Sequence, residues 1–391
     1  MIKSIREEFN QKFNISVYSN FLNDINKLIG RELDFRVCET PLFLDENTKE
    51  KLIEASYEII NEISLLIENK QLRNNIPKKY LVPNETKHPL FLQIDFALTK
   101  DDDNSFTPKL IELQGFPSLY NFQAYLEQNL RKHFWIPENF TSYFNGLNYS
   151  DYLHLLKETI VGEHDPANVI LLEIDPLHQK TWIDFHLAEM NFGIKPVCVS
   201  DIIQRGNKLF YKSGNKKIKI ERIYNRVIFD ELERSEIFPS FNFYDDLDVE
   251  WAGHPSWFFK VSKNILPLIK SKYSPKSFYL NDINNYPENL EAYVLKPLYS
   301  FAGSGVMIDI DKNILDKIKH KENYILQKKV EYAPVIKTPE GYSKTEIRMM
   351  FLWNKEPVLV NNLLRVSKGK MIGVDYNKNK TWVGANIAFH S

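Results

Sequence analysis

This sequence of 391 residues contains few cysteines, no long apolar run and almost no net charge. Its two cysteines, Cys38 and Cys198, lie far apart and form no CxxC pair, which argues against a disulfide scaffold or a zinc ribbon and suits a reducing compartment. No uncharged apolar run approaches the ~18 residues of a transmembrane helix, and the N-terminal MIKSIREEFN has no apolar signal-peptide core. A formal net charge of -1 gives no global attraction to nucleic acid or to an anionic membrane. We therefore expect a cytoplasmic globular protein that binds neither.

Glycine is also scarce, with only 14 residues, so two glycines close together are informative. They lie in YVLKPLYSFAGSGVMIDI, residues 293–310, where a lysine interrupts an apolar run that leads into a turn of small residues. Backbone N–H groups of such a turn can bind phosphate oxygens, and the lysine can reach the same phosphates. A Walker A loop is absent, and a plain hairpin turn with a solvent-reaching lysine is the alternative. The candidate phosphate ligands are Lys296, Ser300, Gly303, Ser304 and Gly305.

A strand end further along the chain is a candidate adenine site. It lies in NYILQKKVEYAP, residues 323–334, where polar and apolar residues are mixed. The backbone N–H and C=O groups of such a strand end can pair with an adenine edge beside an apolar wall. The candidate residues are Gln327, Lys329 and Val330.

Two later strands each carry one arginine among apolar residues, Arg348 and Arg365. The alternative for each is a salt bridge at a sheet edge, and Glu346 lies on the same strand face as Arg348. One lysine and two arginines entering from separate strands favour a polyphosphate ligand.

The acidic counterpart lies nearer the N-terminus, on two predicted strands. Asp95 lies in LQIDFAL, and Glu112 and Gln114 alternate with apolar residues in LIELQGF, so both point to one face. Three oxygen ligands on neighbouring strands suit a hard cation such as Mg²⁺, with phosphate oxygens and water completing the octahedron. Ordinary carboxylates on a half-exposed hairpin are the alternative.

The hydrophobic pattern predicts a mixed α/β chain. An amphipathic helix is predicted over 45–70, with a capping box formed by Asn47 and Glu50. A second helix follows Pro117 and opens with Ser118 as its cap. The remaining predicted elements are a hairpin of strands 88–98 and 108–119, a βαβ unit from 168, a strand over 218–232, a helix over 256–273, and strands over 293–298, 306–310, 323–330, 345–353, 357–366 and 381–389.

Together these segments resemble the circularly permuted ATP-grasp ligases, most closely the glutathionylspermidine synthetase-like group and more distantly eukaryotic-type glutathione synthetases. FLQIDFALTKDDDNSFTPKLIELQGFPSL resembles the metal hairpin of that group, and YVLKPLYSFAGSGV its V-K-K-P strand and phosphate loop. HPSWFFKVSKNILPLI resembles the S-N-K-x-x-L-P-L helix and aligns Lys263 with its lysine. YILQKKVEYAP is similar to the strand and glutamine hinge, LWNKEPVLVNNLLRVS carries Trp353 and Arg365 at the family's spacing, and GANIAFH is similar to the closing strand. The resemblance covers 85–391.

The resemblance implies a circularly permuted ATP-grasp fold of the α/β (α+β) class with a βαβ pre-ATP-grasp layer. The implied division is a helical N-terminal segment over 1–85, a metal-hairpin part over 86–165, a Rossmann-like βαβ domain over 166–250 and a nucleotide-binding half over 251–391. Two departures from the family concern the site. The arginine expected two residues before Asp95 is Gln93, and the asparagine of the metal site is Gln114.

The implied activity is ATP-dependent formation of an amide from a small-molecule carboxylate and an amine, through an acyl phosphate. ATP and Mg²⁺ are the implied cofactors, with Lys263 and the phosphate-loop residues on the phosphates and Arg348 and Arg365 stabilising charge during the reaction. Ser118 is placed to offer a hydroxyl and helix N–H groups to a substrate carboxylate, although a plain helix cap is the alternative. Two other functions remain open, a kinase acting on a hydroxyl group and a non-catalytic nucleotide-binding scaffold.

Overall fold

The computed structural model describes residues 1–72, 76, 78–299, 305–372 and 377–391. None of the helices in these ranges is long and apolar enough to cross a membrane. The helices are α1 (Lys3–Lys12), α2 (Ile15–Ile29), α3 (Glu46–Glu68), α4 (Tyr120–His133), α5 (Tyr149–Val161), α6 (Trp182–Phe192), α7 (Phe229–Arg234), α8 (Ser256–Lys260) and α9 (Lys312–Lys317).

Both strands and helices occur along the chain, so the predicted mixed α/β class is confirmed. In chain order they are β1 (Leu42–Phe43), β2 (Phe91–Lys100), β3 (Phe106–Gln114), β4 (Val169–Glu173), β5 (Lys195–Cys198), β6 (Ile203–Arg205), β7 (Lys208–Ser213), β8 (Lys216–Ile220), β9 (Arg222–Asn225), β10 (Glu250–Ala252), β11 (Ser277–Tyr279), β12 (Tyr293–Pro297), β13 (Tyr324–Lys328), β14 (Ile336–Thr338), β15 (Gly341–Trp353), β16 (Pro357–Ser367), β17 (Gly384–Asn386) and β18 (Ala388–Phe389).

A six-stranded antiparallel sheet carries the candidate site. Its order is β17-β16-β15-β2-β3, with β14 paired to β15. The predicted hairpin of β2 and β3 therefore lies beside β15, which follows it in the chain by more than 200 residues, and β15 continues into the hairpin with β16. Side chains alternate between the two faces of each strand, so residues paired across neighbouring strands share a face.

The two faces of this sheet have different surroundings. On one face, Ile94 and Ile347 join an apolar core with Ile59 of α3. On the other face, Met350 and Leu352 of β15 lie in a second core with residues of α4 and α5. Glu346 and Arg348, which precede Met350 in β15, lie on the same face as Met350 and Leu352.

A smaller antiparallel sheet of order β11-β13-β12 lies next to β3. The 3₁₀ segment Lys263–Leu268 connects the two sheets, since Tyr279 of β11 donates a hydrogen bond to the carbonyl of Asn264 at 2.7 Å. Leu110 of β3 likewise donates from its backbone to the carbonyl of Tyr273 at 2.8 Å. The small sheet and the large sheet are thus held side by side.

The predicted βαβ unit is confirmed. β4 and β5 are connected through α6 and pair in parallel within a four-stranded parallel sheet of order β10-β9-β4-β5. α6 ends at Gly193, whose φ of 75° is left-handed and whose N–H bonds the carbonyl of Glu189. Strands β6, β7 and β8 form a separate antiparallel meander.

The N-terminal residues are mostly helical, and they are joined to the end of the chain. β1 pairs in parallel with β18, and the N–H of Cys38 bonds the carbonyl of Ala385 at 2.8 Å. The large sheet likewise unites β2 and β3 with strands beyond residue 335. The domain boundaries at 85, 165 and 250 stay predictions, and hydrogen bonding crosses the first of them.

Several local predictions were wrong. The cap of α3 is Asp45, which accepts from the N–H of Thr48 at 2.9 Å, so the capping box of Asn47 and Glu50 does not form. The cap of α4 is Leu119, with φ 62° and no side-chain cap bond, and not Ser118. A carboxylate placed against the first turn of α4 makes a serine cap unnecessary: Asp184 accepts from the N–H of Phe122 at 3.0 Å.

Three further elements differ from their predictions. The helix predicted over 256–273 stops at Lys260 and resumes as the 3₁₀ segment Lys263–Leu268, which contains Pro267; proline cannot donate to a helical ladder. The strand predicted over 306–310 reduces to a single bridge between Met307 and Leu295. The continuous strand predicted over 218–232 is β8 and β9 followed by α7.

Candidate functional site

A buried cluster of charges lies on the second face of the large sheet, where β2, β3, β15 and β16 run side by side. Asp95 is opposite Glu112 of β3 on one side and opposite Arg348 of β15 on the other, while Glu346 is opposite Arg365 of β16. Because paired residues share a face, strand pairing alone brings these five charged groups together. We call them the sheet cluster.

Asp95 is the centre of the sheet cluster and is only 1% exposed. Arg348 donates from Nε to its Oδ1 at 2.6 Å and from Nη2 to its Oδ2 at 2.7 Å. Nη1 of Arg365 lies 3.3 Å from the same Oδ2. Burial by itself raises the pKa of the Asp95 carboxyl, but the two guanidinium groups outweigh it and hold that pKa below its ordinary value.

Gln93, at the position where the sequence resemblance implies an arginine, is part of the same network. It is fully buried, and its Oε1 accepts from Nη1 of Arg348 at 2.8 Å. Its Nε2 donates to the carbonyl of Ser118 at 2.9 Å. All three guanidinium nitrogens of Arg348 are therefore engaged, and Gln93 connects them to the segment before α4.

The sequence indicated Glu346 only as an ion-pair partner for Arg348. Its Oε2 lies 3.3 Å from Nη1 of Arg365 instead, and its Oε1 accepts a hydrogen bond from the hydroxyl of Tyr332. Burial raises the pKa of Glu346 despite Arg365, and burial together with Glu346 raises that of Tyr332. Glu346 lies two residues before Arg348 in β15, and this spacing indicated that the two side chains share a face. No sequence pattern indicated a role for Tyr332, which lies outside the strands.

Two lysines face the sheet cluster from the direction of the small sheet. Nζ of Lys263, at the start of the 3₁₀ segment, lies 2.7 Å from Oε1 of Glu112. Nζ of Lys296, in β12, donates to the carbonyl of Ile111 at 2.9 Å. Both lysines are buried, at 2% and 8% exposure. We call them the lysine pair.

Burial and neighbouring charges shift the pKa values of Lys296 and Glu112. Burial lowers the pKa of Lys296 to about 8, although Glu112 opposes the shift. Burial also raises the pKa of the Glu112 carboxyl, but Lys263 more than compensates and leaves that pKa below its ordinary value. Glu112 is thus held as a carboxylate beside two ammonium groups.

Gln114 lies two residues after Glu112 on the same face of β3. Its Oε1 is buried and has no hydrogen-bond partner among the residues that the structure describes. The next residue, Gly115, allows a close approach, because a Cβ there would lie 2.6 Å from the carbonyl oxygen of Trp257. The backbone of β3 therefore fits tightly against α8, and Gln114 keeps an acceptor available at the strand end.

The glycine-rich turn is described only in part. Ser300, Gly303 and Ser304 lie outside the described residues. Gly305 has φ 73°, and a Cβ there would lie 2.8 Å from Cγ of Pro297, so the turn requires glycine on both counts. Two backbone hydrogen bonds of 2.9 Å between Leu295 and Met307 flank the turn.

The candidate adenine residues lie at the end of β13. Gln327 is 1% exposed, and its Nε2 finds no hydrogen-bond partner in the described part of the chain. Gln327 pairs with Val294, and Ile325 with Lys296, so Gln327 and Lys296 share one face of the small sheet. Lys329 is exposed and donates its N–H to the carbonyl of Ala292, while Val330 is half-buried.

The structure thus brings together seven of the sequence-predicted residues. These are Asp95, Glu112, Gln114, Lys263, Lys296, Arg348 and Arg365. Within the described ranges, no group of three or more His, Cys, Asp or Glu side chains is arranged to hold a metal ion on its own. Ser118 is 5% exposed, and its carbonyl accepts the hydrogen bond from Nε2 of Gln93 that links it to the cluster.

Comparison with known proteins gives support at the level of the fold. No family model matches the sequence. No curated protein matches it either. Among solved structures, a glutathione synthetase-like effector from Globodera pallida, solved in its apo form, is similar over 90% of this chain and 95% of its own, with a TM-score of 0.56 and 9% identity. The chain therefore has a fold similar to that of a glutathione synthetase-like protein.

Proposed function

We propose that this protein is an ADP-forming carboxylate–amine ligase on a circularly permuted ATP-grasp fold. One observation carries the proposal: two buried ammonium groups from the small-sheet side face a carboxylate on β3 and a carboxamide oxygen of the same strand that has no hydrogen-bond partner among the described residues. Cations beside oxygen ligands for a divalent metal are what a metal–polyphosphate complex requires. The glutathione synthetase-like fold agrees with this chemistry but does not establish it.

The phosphates of ATP are assigned to the lysine pair and to the turn that ends at Gly305. The adenine is assigned to the strand end at Gln327, because its carboxamide N–H lacks a partner in the described part of the chain and shares a face with Lys296. An adenine ring nitrogen can accept that N–H, and Lys329 and Val330 continue the same strand end.

The oxygen ligands for Mg²⁺ are assigned to Glu112 and Gln114. The fit rests on the buried Oε1 of Gln114, which is an acceptor without a donor among the described residues. Asp95 is less suited as a ligand, because Arg348 bonds both of its oxygens and Arg365 also contacts Oδ2. Bound Mg²⁺ supplies charge neutralisation at the phosphates during their transfer.

The two arginines have different roles in this proposal. Arg365 is 35% exposed, so its guanidinium can reach a ligand while it holds Asp95 and Glu346. It is assigned to stabilise negative charge on the transferred phosphoryl group. Arg348 is fully engaged with Asp95 and Gln93, so it acts as a positioning residue that fixes Asp95.

The proposed reaction has two steps. A substrate carboxylate oxygen attacks the γ-phosphorus of ATP, the bond to the β-phosphate oxygen breaks, and ADP leaves with formation of an acyl phosphate. An amine then attacks the acyl carbon and releases phosphate, giving an amide and a proton. Orientation of the reactants and the fixed positive charges of the site supply most of the acceleration.

A direct test starts with ATP binding and then looks for products. Thermal melts with and without ATP and Mg²⁺ should show a shift of a few degrees at about 100 times Kd, since such a ligand adds about 2.7 kcal/mol. Pools of carboxylic acids and amines are then screened for phosphate release. A ligase needs both an acid and an amine for product, whereas a kinase needs no amine.

A non-catalytic nucleotide-binding protein is the second candidate. The contacts of both Asp95 oxygens with guanidinium groups favour it, because a metal ion at Asp95 would have to share oxygens that arginines already bind. ATP binding without phosphate release from any acid and amine pool would support this function over the ligase.

A further inference from the structure

The lysine pair connects the two sheets through neighbouring residues of one strand. Lys296 belongs to the small sheet and bonds the carbonyl of Ile111, and Lys263 bonds the side chain of the next residue, Glu112. The two bonds, of 2.9 Å and 2.7 Å, hold the small-sheet side against β3.

The space at this junction is small. The cavity lined by Glu112, Gln114, Lys263 and Leu298 has a volume of about 10 Å³. That volume accommodates about one water molecule. A phosphate group therefore enters this cavity only if its lining, which includes the Lys263–Glu112 ion pair, rearranges.

We propose that Glu112 exchanges its cation when the nucleotide binds: Lys263 leaves it for a phosphate group, and a divalent metal ion takes the place of Lys263. This inference rests on the proposed function, since it concerns the same nucleotide site. It adds that the Lys263–Glu112 pair is the element that makes nucleotide binding depend on the metal.

The physical reason is the cost of an unpaired charge in a buried place. Lys263 is 2% exposed, and the Glu112 side chain is 18% exposed. Separating such a pair is unfavourable unless each partner finds a new counter-charge. ATP alone supplies one for Lys263 and leaves Glu112 without its hydrogen-bonded ion-pair partner, with only the charge of Lys296 nearby. The metal alone meets a carboxylate that Lys263 already neutralises. The two ligands together satisfy both groups, so each should strengthen the binding of the other.

The first experiment measures ATP affinity by calorimetry in the presence of Mg²⁺ or of EDTA. In the wild type, Mg²⁺ should strengthen ATP binding by on the order of 100-fold. In Glu112→Gln, the neutral carboxamide no longer needs a counter-ion when Lys263 turns to the phosphate. ATP should therefore bind this variant in EDTA much more tightly than it binds the wild type in EDTA, and the effect of Mg²⁺ should fall to a few-fold.

Glu54→Gln is the matched control. Glu54 pairs with Lys272 at the same 2.7 Å, but both side chains are more than half exposed. Glu54→Gln changes the charge by the same amount as Glu112→Gln, but the Glu54–Lys272 ion pair lies in solvent. The dependence of ATP binding on Mg²⁺ should therefore stay that of the wild type.

A second variant covers the case in which Glu112→Gln does not fold. Lys263→Met leaves the Glu112 carboxylate without its ion-pair partner, so Mg²⁺ alone should raise the melting temperature of this variant. Mg²⁺ alone should not stabilise the wild type, and it should not stabilise Lys272→Met, in which the exposed pair is broken in the same way.

The outcomes separate this inference from the proposed function. Metal-independent ATP binding by Glu112→Gln, or stabilisation of Lys263→Met by Mg²⁺ alone, supports the exchange. ATP binding that needs Mg²⁺ equally in the wild type and in Glu112→Gln, with no Mg²⁺ effect on Lys263→Met, overturns the exchange and leaves the proposed function intact. No ATP binding under any condition overturns both.

Discussion

Arg348 holds Asp95 through two parallel hydrogen bonds across paired strands, Nε to Oδ1 at 2.6 Å and Nη2 to Oδ2 at 2.7 Å. The two residues are 253 positions apart in the sequence and directly opposite each other in β15 and β2. Both are almost completely buried. A bidentate pair of this kind fixes the orientation of the carboxylate as well as its charge.

Removal of Arg348 should therefore destabilise the fold strongly. Arg348→Met leaves the buried Asp95 carboxylate with Arg365 alone, and we expect a loss of about 3–5 kcal/mol in the free energy of unfolding. Urea denaturation measures it. Arg234→Met is the control, because Arg234 pairs with Asp230 at 2.8 Å on an exposed helix surface. That change should cost at most about 1 kcal/mol, and equal losses in the two variants would contradict the structural role of the Arg348 pair.

Replacement of Lys296 should separate ligand binding from folding. Lys296 is buried, and its Nζ bonds only the carbonyl of Ile111 among the described residues. The cost of burying its ammonium group outweighs the attraction of Glu112, so Lys296→Met removes a net cost. The melting temperature without ligand should remain the same or rise, while the shift caused by ATP and Mg²⁺ should disappear. Lys328→Met, an exposed position on the neighbouring strand β13, is the control and should keep the shift. An unchanged ATP shift in Lys296→Met would remove this lysine from the phosphate site.

Gly115 should tolerate no side chain. A Cβ at this position would lie 2.6 Å from the carbonyl oxygen of Trp257 and 2.9 Å from Cβ of Val261, so β3 or α8 must move. We expect Gly115→Ala to cost about 1–3 kcal/mol and to weaken ATP binding, since Gln114 and Glu112 move with the strand. Thermal unfolding and calorimetry measure the two effects.

Gly146→Ala provides a comparison for the Gly115 variant. Gly146 has φ 71°, and none of the described atoms lies within 4 Å of the position that the alanine methyl group would take. Only backbone strain of about 1–2 kcal/mol is therefore expected. ATP binding should stay unchanged in this variant. Unimpaired ATP binding in Gly115→Ala would show that the fit of β3 against α8 does not position the site.

Glu173 should make stability depend on pH. Burial raises its pKa to about 8, against the opposing charge of Arg226, while Glu231 adds to the shift; the N–H of Ile174 donates to its Oε1. The unfolded chain loses this proton near pH 4.3 and the folded chain keeps it until about pH 8. Glu173 therefore contributes most stability below about pH 4, and that contribution is lost by about 1.4 kcal/mol per unit as the pH rises towards 8.

Glu173→Gln is the test of that sign. The carboxamide keeps an oxygen for the N–H of Ile174 and cannot ionise. Denaturation curves at several pH values between 5 and 8 should show the variant gaining stability relative to the wild type as the pH rises. A difference that stays constant over this range would mean that Glu173 titrates at an ordinary pKa in the folded protein.

Much of the local structure followed from the sequence, because it depends on short-range patterns. Alternating residues predicted the β2–β3 hairpin and β15, and the apolar stripe predicted α3. The helix predicted over 256–273 is not continuous, because Pro267 cannot donate to a helical ladder although the apolar pattern is compatible with a helix. The cap of α4 failed since Asp184, more than 60 residues away, occupies the helix N-terminus.

The sequence by itself determined the chemical types at the candidate site: the carboxylates of β2 and β3, the lysines at 263 and 296, and one arginine in each of two later strands. Only the tertiary structure decided which charge pairs with which. Strand register set Arg348 against Asp95 and Arg365 against Glu346, and it left Lys263 to Glu112. The choice of Asp95 for Arg348 depends on hydrogen bonding between strands more than 200 residues apart, and the choice of Glu346 for Arg365 depends on the register of the β15–β16 hairpin. A periodic pattern within one strand contains no information about its partner.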